Sequence, residues 1–156
     1  FGFAPQYAMA LFAGAVIKDK KWAFALPILS MFISDCLYQL LFIYGLSPIW
    51  GFYSGQLTNY VLFAGLTSIG FLMKKINVKN IVLYSAIVCV VFFLVSNFLV
   101  WTGTGGYARP HTFSGLMLCY IDGLPFLQWS FISTLVFSGV LFGIWKWLQS
   151  KEVVAA

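Results

Sequence analysis

The chain has 156 residues, 62% of them hydrophobic and 8% charged, with a formal net charge of +5 at pH 7. Soluble domains carry about 25% charged residues, so this composition excludes an ordinary water-soluble globule and points to helices surrounded by lipid. The basic residues stand in short clusters at the ends of apolar runs, which excludes a nucleic-acid footprint and reads instead as topology.

In chain order, residues 4–17 (APQYAMALFAGAVI) predict a helix, with Pro5 suited to its first turn. Such a helix reaches only ~21 Å at 1.5 Å per residue, short for a span. Ala4, Ala8, Ala10 and Gly14 place small residues where neighbouring helices could pack closely. Residues 18–21 (KDKK) form a turn expected on the cytoplasmic side. A second apolar run covers 22–44, contains Pro27 and carries Asp35; residues 45–48 turn on the outside. Residues 49–73 return, with Gln56, Thr58 and Asn59 in the outer half and Gly51/Gly55 as a GxxxG pair. Residues 74–80 make the second cytoplasmic loop.

Residues 81–101 (IVLYSAIVCVVFFLVSNFLVW) carry no charge and match the roughly 20 apolar residues needed to cross a bilayer core. Lys74, Lys75 and Lys79 precede this run and Trp101 ends it, which places the lysine end in the cytoplasm. Residues 102–112 form an outer polar loop bearing Arg109 and His111. Residues 113–124 are apolar but short, broken by Asp122-Gly123 and Pro125, and are expected to re-enter or lie on the lip of the membrane. That arrangement keeps every lysine cytoplasmic. Residues 126–148 read as a full span with a second GxxxG at Gly139 and Gly143. The expected fold is all-α: a polytopic, multi-pass helical bundle forming a single transmembrane domain over 1–156, with about five hydrophobic helices plus the short re-entrant piece.

Polar side chains inside such helices are informative, because lipid cannot satisfy them. Asp35 lies ~20 Å and Asn97 ~24 Å above the cytoplasmic end at 1.5 Å per residue. Gln56 and Asn59 descend to comparable depth from the other end. Together with Trp101, which shares a helix face with Asn97, they are expected to line one outward-opening cavity with Arg109 and His111 at its mouth. Plainer roles stay open. Asp35 also suits a helix end near the headgroups, Asn59 and Asn97 could pair across helices, Arg109 and His111 could be solvated, and Asp122 suits a turn.

Catalysis finds little support: HExxH, GxSxG and a Walker loop are all missing, and no GK[ST] follows TGTGG. Cys36, Cys89 and Cys119 lack metal-site or CxxC spacing. Neither enzyme activity nor a cofactor or metal is expected.

The strings FAPQYAMALFAGAVIKDKKWAFALPILSMFISD, SNFLVW and TFSGLMLCYIDGLPF, in this order and spacing, resemble an uncharacterised bacterial family of membrane transport proteins. That family is related to the substrate-binding S components of energy-coupling-factor (ECF) vitamin transporters. The resemblance implies a substrate-capturing subunit in the bacterial cytoplasmic (inner) membrane, with a small-molecule ligand and a coupling subunit served by separate ATPases. It also implies one further hydrophobic helix before Phe1, giving six helices with both ends cytoplasmic. No ligand-reading motif carries over. The alternative is a structural or accessory subunit packed by its GxxxG faces; a third reading, an intramembrane enzyme, would need His111 beside a carboxylate such as Asp122. Membrane lipids are partners in each.

Overall fold

The computed structural model describes residues 5–103 and 108–155, with side chains as far as residue 151. Ala4 lies outside the described residues. Five helices form among those described: α1 (Gln6–Val16), α2 (Lys20–Ile43), α3 (Gln56–Gly70), α4 (Val78–Thr102) and α5 (Phe113–Ala155).

Local chemistry sets the helix starts. Asp19 caps α2 by accepting the Lys21 amide at 2.8 Å, and Asn77 caps α4 by accepting the Asn80 amide at 2.8 Å. Gly55, at φ 88°, supplies the left-handed turn that admits α3. The helix expected over 49–73 therefore begins seven residues late, at Gln56, and the Gly51/Gly55 pair lies outside any helix. Gly51 still permits a close approach, because a Cβ there would sit 1.9 Å from the Asp35 carbonyl of α2.

The second correction concerns α5. The break expected at 122–125 does not occur: α5 runs through Pro125 without interruption, so the re-entrant piece and the last span are one helix. Proline removes one helical hydrogen bond, and neighbouring packing can absorb that loss. Here α5 lies antiparallel to α4 from Cys119 to Lys146. Ser85 pairs with Ser138, Cys89 with Thr134, the Asn97 carbonyl with the Cys119 thiol, and Trp101 with Pro110 ahead of the helix. Residues 113–124 are thus the upper part of a single descent. Lys146 reaches the end where α4 begins, as shown by the groove it shares with Val78 and Ile81.

The short helix α1 sits at the centre and touches all four others. Ala8, Ala10, Leu11, Ala13 and Gly14 are buried, and Leu11 joins Phe63, Leu66, Val88, Cys89 and Phe142 in the core. Phe12 meets Phe142 edge-on at 5.2 Å between ring centroids. Gly14 crosses Gly70 so closely that a Cβ on Gly14 would lie 2.1 Å from the Thr67 carbonyl. The packing role read for Ala8, Ala10 and Gly14 is thus filled within the chain. Gly139 and Gly143 are exposed, and a Cβ on either would meet nothing within 4 Å. The expectation that these two face a neighbouring helix is not met inside the bundle.

Among the described residues, three helices are long and apolar enough to cross a membrane: α2, α4, and α5 as far as Lys151. Only 11% of the most apolar stretch of α2 and 17% of that of α4 is buried.

Candidate functional site

Asp35 projects from within α2, not from its end, and meets the first turn of α3. Its Oδ2 accepts from the Gln56 amide at 2.5 Å and from the Tyr60 hydroxyl at 2.6 Å; Gln56 also donates to Tyr60 at 3.0 Å. Gln56 and Tyr60 are one helical turn apart and so share a face. Both donors to the carboxyl are neutral groups, an amide and a hydroxyl. The three side chains close on one another. Nearby, Gln39 accepts the Gly51 amide at 3.2 Å and ties the turn before α3 onto α2.

Asn59 points elsewhere. Its amide donates to the Tyr53 hydroxyl at 2.7 Å, and both line an open cleft of about 360 Å³ between the start of α3 and the upper part of α4. Ser54, Thr58 and Ser96 add hydroxyls to this cleft, against an apolar wall of Leu62, Leu99 and Val100. The polar groups are all neutral hydrogen-bonding groups, able to donate and accept without fixing a charge.

Asn97 lies one residue further along α4 and faces a different space. Its amide donates to the Phe93 carbonyl at 2.8 Å, and its side chain stands where Gly123 leaves room: a Cβ on Gly123 would approach Asn97 Oδ1 to 2.5 Å. Asn97 lines an inner chamber of about 50 Å³ with Tyr7, Cys89 and Ser130, room for a water or a small polar group. Ser96 borders both chamber and cleft. Below the chamber a seam of small polar side chains joins α4 to α5. Thr134 donates to the Ser130 carbonyl at 2.6 Å, the Cys89 thiol donates to Thr134 at 3.3 Å, and Ser85 donates to Ser138 at 3.2 Å.

The loop residues form a fourth group. The Trp101 indole donates to the Pro110 carbonyl at 3.0 Å, and its ring meets His111 edge-on at 5.4 Å. Arg109 holds Asp122 by two parallel bonds, 2.9 Å from Nε and 3.1 Å from Nη2. That fork pins the loop to the upper part of α5 and neutralises both charges. Asp122 is therefore a salt-bridge partner inside a helix, not a turn residue, and its carboxylate is engaged by Arg109 and not by His111.

The residues expected from sequence to line one cavity fall into four groups by their contacts. Asp35 and Gln56 pair on the α2–α3 side, Asn59 lines the α3–α4 cleft, Asn97 lines the inner chamber, and Trp101, Arg109 and His111 gather over the top of α5. Sequence reasoning missed Tyr60, Tyr53 and Ser96. The four-residue spacing of Gln56 and Tyr60 was a usable signal, whereas Tyr53 meets Asn59 only because the α3 start shifts to Gln56.

The chain belongs to a family of unknown function (DUF6580), whose family model matches residues 1–155. No curated protein and no solved structure matches it.

Proposed function

We propose that the chain is a multi-pass protein of the bacterial cytoplasmic membrane that captures a small, uncharged, amphiphilic solute. It takes the solute from the side opposite its lysines, in the manner of an ECF S component. Support for membrane embedding comes from α2 and α4, whose apolar faces stay largely uncovered by the rest of the chain. Exposing such faces to water would cost about 25 cal/mol per Å² of apolar surface, whereas lipid accepts them. Support for orientation comes from the lysines. Lys20 lies over the Phe71 ring at the foot of α3, Lys79 opens α4 and Lys146 shares its end, so the positively charged end is the cytoplasmic one.

The observation that carries the capture reading is the α3–α4 cleft at the lysine-poor end. It is concave and mainly apolar, with Tyr53, Thr58, Asn59 and Ser96 as convergent polar groups. Its ligand is uncharged because the cleft offers no ionised group, and the Arg109 guanidinium nearest that end is bound to Asp122. The test is a thermal-stability screen of the detergent-purified protein against uncharged polar solutes. A solute at a hundredfold excess over its Kd should stabilise the protein by about 2.7 kcal/mol. Asn59→Leu should erase that gain while leaving the ligand-free melting temperature unchanged. A panel in which no solute stabilises the parent, or in which Asn59→Leu responds like the parent, refutes the cleft as a site.

The accessory-subunit reading is favoured by one specific observation, the uncovered Gly139/Gly143 face. It predicts that the chain purifies from its native membrane with a stoichiometric partner whose loss unfolds it.

A further inference from the structure

From the groove between the lower parts of α4 and α5 we infer a binding site for an anionic phospholipid. The groove has a volume of about 230 Å³; Val78, Ile81, Val82 and Leu135 wall it, and Gly139 and Gly143 deepen it. Lys146 stands at its end and is the one charged group lining it. This inference rests on the membrane embedding proposed above and not on solute capture.

The groove follows the helix axes from Lys146 past Gly143 and Gly139 to Leu135, ~16 Å at 1.5 Å per residue, a run that suits an extended acyl chain. The glycines matter because they remove side chains from the floor of the groove. A Cβ at either position would stand in open space, so nothing in the chain occupies that floor.

The charge selects an anionic headgroup. Among the described residues no acidic side chain lies within ion-pair distance of Lys146; Asp19, the acidic residue described at this end, caps α2. Lys79 follows Val78 in the first turn of α4, whose N-terminal peptide dipoles add positive potential beside the groove. A phosphodiester seated at Lys146 places its acyl chain upward between Ile81 and Gly143, in register with the bilayer leaflet on the lysine side. Basic pockets between helices on that side suit anionic headgroups.

The test uses the detergent-purified chain titrated with dioleoylphosphatidylglycerol or dioleoylphosphatidylcholine, with bound lipid counted by native mass spectrometry. Phosphatidylglycerol should bind preferentially. Lys146→Gln should weaken it about five-fold, the factor equivalent to roughly 1 kcal/mol per lysine near an anionic surface. Gly143→Leu should remove it with helical content and melting temperature unchanged, and Lys74→Gln on the α3–α4 loop should leave it intact. Equal binding of the two lipids overturns the site, as does an equal loss in Lys74→Gln and Lys146→Gln. So does Gly143→Leu releasing a protein partner or a second copy instead of lipid. A chain that stays dispersed in water without detergent instead refutes the membrane reading itself.

Discussion

Two pairs of glycines show opposite fates for the same small-residue signal. Gly14 and Gly70 meet backbone to backbone where α1 crosses α3, with no room for even a methyl group. Gly139 and Gly143 repeat the spacing that marks close helix contacts, yet nothing lies within 4 Å of where their Cβ atoms would stand. The difference lies in the helices that carry them. Helix α1 is short and central, so every face must fit a neighbour. Helix α5 packs on its neighbours through Ser130, Thr134, Ser138 and Phe142, while its glycines sit at the edge of that face, in the open groove beside α4. Small residues permit approach; the partner decides whether approach happens.

Three substitutions would break or sharpen that contrast. The largest effect is expected for Gly14→Leu, because the obstructing atoms are the Thr67 carbonyl and the Gly70 backbone, which cannot swing aside. Overpacking of this kind should cost on the order of 3 kcal/mol or more, read as a lowered melting temperature in detergent or as failure to fold. A variant as stable as the parent would mean that α1 is not held against α3.

A smaller loss is expected for Gly123→Ala. The clashing atoms there are side-chain atoms of Asn97 and Phe93, which can rotate, so about 1–2 kcal/mol is the expected cost. The displaced Asn97 should also release the Phe93 carbonyl, which hydrogen exchange across the upper part of α4 would report. Unchanged exchange there would place the strain elsewhere.

Gly143→Leu should change stability least, within about 0.5 kcal/mol, as for surface positions free of special features. A loss comparable to that of Gly14→Leu would show that a second chain or helix covers the groove in the purified protein.

Much of the helical plan was legible in the sequence, for a physical reason. The runs at 22–44 and 81–101 announce α2 and α4 by length and lack of charge, properties local to the run. The small residues Ala8, Ala10 and Gly14 suited either packing within the chain or docking of a coupling partner, and in α1 they are buried within the chain. The start of α3 was not legible, because Gly51 and Gly55 fit a helix-packing spacing equally well and only the left-handed φ at Gly55 distinguishes a turn. The continuity of α5 was not legible either. Asp122, Gly123 and Pro125 each disfavour a helix locally, and what overrides them is tertiary: Arg109 on Asp122, and Asn97 fitted against Gly123. The polar residues Asp35, Gln56, Asn59 and Asn97 do lie in helices, half-buried, but depth along a helix does not give azimuth. Asp35 meets Gln56 and Tyr60, whereas Asn97 meets Phe93 and the space left by Gly123. Tyr60 and Ser96, which complete those spaces, look like ordinary helix residues until the helices are rotated into place.

The helices differ greatly in length, and a bilayer would register that difference. At 1.5 Å per residue α1 extends ~16 Å and α3 ~22 Å, against ~38 Å for α4 and a hydrocarbon core of ~30 Å. Both short helices lie toward the lysine end, where Gly14 meets Gly70. Beyond the start of α3 lie the turn that precedes it and the open cleft beside α4. Irregular backbone cannot face acyl chains, so in the membrane reading water would enter there or the leaflet would thin to meet it. Under the membrane reading proposed above, the shortfall of α3 against α4 is a hydrophobic mismatch, which a bilayer meets by local thinning or the protein by tilting.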